Sequence, residues 1–96
     1  MRLDFNFNIK DLSGNDVLEQ GKAIPMKNIF SNALISPAVK IGDVLKKWSL
    51  AQRIDKDGLV DIDEADLSLI KQIANEKDVF VPAVQAQLLL YLDSIK

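Results

Sequence analysis

Five acidic residues surround one glycine in the stretch Arg53-Ile54-Asp55-Lys56-Asp57-Gly58-Leu59-Val60-Asp61-Ile62-Asp63-Glu64. Carboxylates at alternate positions about a glycine, closed by a bidentate glutamate, are what a calcium loop of the EF-hand kind requires. With Gly58 at the sixth position, Asp55 takes the third, Asp57 the fifth, Asp61 the ninth and Glu64 the twelfth. Leu59 would offer its backbone carbonyl at the seventh, and Val60 is the apolar eighth residue. The first position fails, because Arg53 has no oxygen to give and brings positive charge. A site built from Asp55, Asp57, Asp61 and Glu64 would therefore hold calcium only weakly, at roughly millimolar concentrations. The same residues also spell a tight corner between helices. Asp55-Lys56-Asp57-Gly58 is a strong turn sequence, and Gly58 tolerates the left-handed conformation. Val60 and Ile62 can tuck toward a core while an aspartate caps the next helix. The corner asks for less and is the preferred reading, so no cofactor is expected beyond that weak calcium.

Other chemistry is poorly supplied. The chain has no histidine and no cysteine. Serine triads, cysteine–histidine dyads and zinc sites lean on imidazole or thiolate, so the chain is expected not to be an enzyme. Lys46, Lys47 and Arg53 could contact nucleic acid, but Asp43, Asp55 and Asp57 lie among them and the net charge is −2. A mixed-charge face is preferred to a phosphate-binding one. No apolar run approaches a membrane span, and residues 1 to 5 lack the block structure of a signal peptide. A soluble cytoplasmic protein is the simplest placement.

The elements that must position these groups are short. Ninety-six residues make one domain, 1 to 96, with a β-hairpin over 1 to 20 and a helical part over 25 to 96. Leu3, Phe5, Phe7 and Ile9 alternate with polar residues, which predicts a strand with one buried face. Ser13-Gly14-Asn15-Asp16 turns the chain, and Val17-Leu18-Glu19 reads as the returning strand. Pro25 suits the first turn of a helix, followed by Met26, Ile29, Phe30, Ala33 and Leu34 at helical spacing. A second helix is expected over about 38 to 54, with Gly42 weakening its first turn so that Asp43 is the alternative start, and with Ile41, Val44, Leu45, Trp48, Ala51 and Ile54 on its apolar stripe. Trp48 is read as a core anchor in preference to an exposed binding residue. A third helix is expected over about 63 to 76, capped by Asp61 or Asp63, and a fourth over about 82 to 95, opened by Pro82. The fourth carries a wider apolar stripe than one core face needs, and a central position for it is preferred to cover by a partner. Tyr91 is expected to keep its hydroxyl near the edge, bonded to water.

Gly58-Leu59-Val60-Asp61-Ile62-Asp63-Glu64-Ala65-Asp66-Leu67, followed by Pro82-Ala83-Val84-Gln85-Ala86-Gln87-Leu88-Leu89-Leu90-Tyr91, resembles small proteins of about one hundred residues encoded in bacteriophage and prophage genomes. Many of those have no assigned function, and they tend to open with an alternating strand like Leu3 to Ile9. The resemblance implies a viral origin and an accessory or interaction role, in the host cytoplasm or the virion. It carries over no catalytic residue and no ligand.

The expected fold is therefore α+β: an N-terminal β-hairpin packed against about four short α-helices. The expected core is Leu3, Phe5, Phe7, Ile9, Ile29, Phe30, Leu34, Val44, Leu45, Trp48, Leu67, Ile70, Ile73, Val84, Leu88 and Leu92. The expected function is binding, either to a virion or host protein or to a second copy. Leu89, Leu90 and Tyr91 on the last helix and the open hairpin edge form the candidate interface.

Overall fold

Alternation along residues 2 to 10 is satisfied by two different partners rather than one. The computed structural model describes residues 1 to 95. Strand β1 (Arg2–Asp4) pairs antiparallel with β4 (Leu59–Asp61), placing Leu3 opposite Val60. Beyond Phe5 the same extended chain changes neighbours. Val17 N–H donates to the Ile9 carbonyl at 2.9 Å, Asp11 N–H to Asn15 at 2.8 Å, and Lys10 bridges Asp16. Ile9 N–H in turn donates to the Ile24 carbonyl at 2.8 Å. The expected hairpin thus exists, but only around residues 9 to 17. A second hairpin follows, β2 (Leu18–Glu19) with β3 (Lys22–Ala23). Its turn residues Gln20 and Gly21 sit at φ 52° and 79°, as a tight turn matched to strand twist requires.

Helix α1 (Met26–Leu34) starts where that extended chain can cap it. Met26 and Lys27 N–H groups donate to the Phe7 and Phe5 carbonyls, each at 2.8 Å. Backbone oxygens of the strand thereby satisfy helix donors that have no partner within the helix. Pro25 stands just outside as the extended N-cap. Helix α2 (Val44–Asp57) begins after Asp43, whose carboxylate accepts from Lys46 N–H at 2.9 Å. Helix α3 (Glu64–Ala74) is opened by a reciprocal capping box between Asp63 and Asp66. Helix α4 (Pro82–Asp93) has its proline in the first turn. Two glutamines of α4 hold neighbouring backbone. Gln85 donates to the Ala74 and Glu76 carbonyls at the end of α3, and Gln87 both accepts from Lys10 N–H and donates to its carbonyl.

Among the described residues the architecture is α+β, with four helices, two small antiparallel strand pairs and an N-terminal strand packed on the helices. Leu3, Phe5, Met26, Phe30, Leu34, Leu50, Ile54, Ile70, Ile73, Leu88 and Leu92 are fully buried in one contiguous core. Aromatic rings run through it: Phe80 stacks on Phe30, Phe30 on Phe5 at 5.1 Å, and Tyr91 meets Phe5 edge-on and Phe7 at a tilt. Most of the expected core residues are buried or half-buried, Phe7, Ile29 and Leu67 being half-buried. Val44, Leu45 and Trp48 are not: all three face outward. No helix among the described residues is long and apolar enough to cross a membrane.

Candidate interaction surface

The acidic corner forms, but not as an ion cage. A calcium loop needs the preceding helix to stop early so that the chain can wrap its ligands around the ion. Here α2 continues through Asp57 and ends on Gly58 at φ 72°, with Gly58 N–H returning to the Ile54 carbonyl at 2.8 Å. Two residues apart on a helix project about 200° from one another, so Asp55 and Asp57 diverge. Asp55 sits beside the Ser31 hydroxyl at 3.4 Å. Asp61 lies on β4 and pairs across the ladder with Arg2, Nε to Oδ1 at 3.1 Å. The hydrogen bond and charge of Arg2 hold the Asp61 carboxyl below its usual range. Glu64 begins α3. Among the described residues, no three acidic side chains are grouped to hold a metal ion. Asp55, Asp57, Asp61 and Glu64 therefore do not converge, and the corner geometry prevails. Val60 and Ile62 are buried, as that corner expects.

Gly58 is held twice over. A side chain there would meet the amide of Asn6, which lies against it and donates to the Asp57 carbonyl at 3.0 Å. Phe5 N–H donates to the Gly58 carbonyl at 2.7 Å. Close approach and positive φ both demand glycine.

The expected interface on α4 is mostly spent internally. Leu89 and Tyr91 are half-buried and packed against the core, leaving Leu90 exposed at 70%. The Tyr91 hydroxyl accepts from Asp4 N–H at 2.6 Å, a backbone partner on β1. Burial pushes the Tyr91 hydroxyl above its ordinary pKa, against the opposing pull of that N–H. Tyr91 is a tether between β1 and α4, and the wide apolar stripe of α4 reflects contact on several sides.

An apolar face lies elsewhere, on α2. Val44 is 73% exposed, Leu45 77% and Trp48 51%, and Ile35 and Pro37 stand exposed beside them. The helix buries Lys47, Leu50, Ala51 and Ile54 instead. Both sets follow helical spacing, so α2 carries two apolar stripes and the core takes the more C-terminal one. A lysine marks the buried stripe because its methylene stem packs inward while Nζ donates to the Val39 carbonyl at 3.1 Å. Trp48 separates two clefts. One of about 420 Å³ is walled by Leu34, Ile35, Val39, Val44, Lys47 and Trp48. The other, about 160 Å³, ends at Gln52 and Asp55.

The basic residues weighed for nucleic acid are engaged within the chain. Lys46 pairs with Asp66 at 2.9 Å, Lys47 is buried, and Arg53 reaches the Asp61 carbonyl at 3.4 Å. The available signal for the exposed face was angular: at about 100° per residue, Val44, Trp48 and Leu45 lie on a different side of α2 from Leu50 and Ile54.

No protein-family model matches the chain. No curated protein and no solved structure matches it either.

Proposed function

We propose that the chain is a small protein-binding module whose contact face is centred on Trp48. The observation that carries this reading is the exposure of the only tryptophan together with Val44 and Leu45 on one side of one helix. Contiguous apolar surface is costly to leave in water and commonly marks a contact site. Tryptophan at the centre of such a face is a frequent source of binding energy. A chain without imidazole or thiol is better equipped to bind than to catalyse, which suits an accessory protein of the phage type. Leu90 and the hairpin edge are secondary to this face.

A photoreactive residue placed at position 45 tests the reading in cells producing the protein. A discrete cross-linked product should form from position 45, fade when Trp48 is replaced by alanine, and be missing when the photoreactive group sits at Gln72. Equal products from positions 45 and 72, or none from position 45, would sink it.

A further inference from the structure

We propose that Lys47 makes the Trp48 cleft selective for a carboxylate that neighbours a large apolar side chain in a segment of a partner protein. This deepens the reading above and rests on it.

The two adjacent lysines of α2 are treated differently by the fold. Lys46 is partly exposed and has a carboxylate, Asp66, at 2.9 Å. Lys47 is only 7% exposed, yet among the described residues no carboxylate pairs with it. Among the described residues its ammonium group has one hydrogen-bond partner, the neutral carbonyl of Val39. An ammonium group has three donors and a full charge, and a charge taken out of water is costly unless an opposite charge meets it. Lys47 and Val39 line the same cleft, and apart from Ser36 the remaining walls are apolar: Leu34, Ile35, Pro37, Val44 and Trp48. That chemistry fits an anion carried next to a greasy group.

Charge also sets the direction of binding. Asp55 closes the cleft on the far side of Trp48, bonded to Ser31. Asp43 is held at the start of α2 by Lys46 N–H. A ligand carboxylate is drawn to the Lys47 end and repelled from the Asp55 end. The occupant is a protein segment rather than a small amphiphile because the exposed apolar surface runs on past the cleft over Leu45. A molecule confined to about 420 Å³ would leave that surface uncovered.

Selection from a random dodecapeptide library, followed by titration against Trp48 emission, tests the proposal. Selected peptides should share an Asp, a Glu or a free C-terminus beside Leu, Ile, Phe or Trp. Neutralising that carboxylate, or making K47M, should weaken binding about tenfold, while both changes together should weaken it little further. K47R keeps the charge and should keep most of the preference. If K47M fails to fold by circular dichroism, the Asp→Asn peptide on the unaltered protein and K47R still decide the matter. Peptides that bind through Trp48 with no carboxylate preference overturn the role of Lys47 and leave the proposed function standing. A library yielding no binder sensitive to W48A counts against both. Saturable binding of sodium octanoate without any peptide binding also overturns the proposal, since the occupant would then be a small amphiphile.

Discussion

Trp48 and Phe30 show how little residue type alone decides. Both are large aromatics on apolar helical stripes, yet Phe30 is fully buried between Phe5 and Phe80 while Trp48 is half in water. F30A is expected to cost about 3 to 5 kcal/mol, as a large core truncation does. W48A is expected to cost no more than about 1.5 kcal/mol, because much of its burial was never gained. Urea unfolding of both variants checks this, and a W48A loss equal to that of F30A would return Trp48 to the core. Gly58 is the opposite case, a small residue with no substitute. G58A must adopt a left-handed backbone and push aside the Asn6 amide. A loss of about 2 to 4 kcal/mol is expected in the same assay. N6A should recover only the steric part. The glycine was legible in the sequence as a turn; its contact with Asn6 was not, because nothing local joins positions 6 and 58.

At the scale of elements, the caps are where charge meets secondary structure. Burial tends to raise the Asp66 pKa, but the bonds from Lys46 and from Asp63 N–H outweigh it and leave the carboxyl below its ordinary value. A depressed carboxyl stabilises the fold above its unfolded pKa, near 4, and that contribution is lost as pH falls through the lower folded value. D66N should therefore cost about 1 kcal/mol at neutral pH, with the gap to the unaltered protein narrowing as pH falls from about 4 through the lower folded value. A gap that stays constant with pH would show that the charge does not matter. Gln87 is a cap of another kind, standing in for a neighbouring strand at Lys10. In Q87A the Lys10 amide should exchange its hydrogen faster, while amides of β4 stay protected. Element existence was readable from period and punctuation: three helices start near Pro25, Asp63 and Pro82 as expected, and α2 starts after Asp43, later than residue 38, at the alternative start offered by Gly42. The face of α2 was not readable, because two apolar stripes overlap on one helix and only tertiary packing chooses between them. The partner of β1 was not readable either, since the nearest turn signal pointed to residues 17 to 19 while the ladder forms with 59 to 61.

For the whole molecule, the acidic corner and the apolar face make separate claims. Its carboxylates are dispersed among a helix, an ion pair and a helix start, so millimolar calcium should leave the thermal midpoint unchanged within error. A rise of several degrees would mean that the ion reorganises the corner, since a ligand stabilises whatever state binds it. The acid-rich pattern was visible in the sequence, and so was its competing identity as a turn. What separates them is where α2 stops, a matter of one helical turn that local propensity does not determine.

Pairing of Leu3 with Val60 has a consequence for birth of the chain on the ribosome. Arg2 emerges 59 residues ahead of Asp61. At roughly 5 to 20 residues per second, β1 waits about 3 to 12 seconds for its mate. During that interval its apolar face and the carbonyls destined to seed α1 stand open to any passing strand, so nascent molecules crowded on one messenger are most exposed to mutual entanglement through their β1 segments.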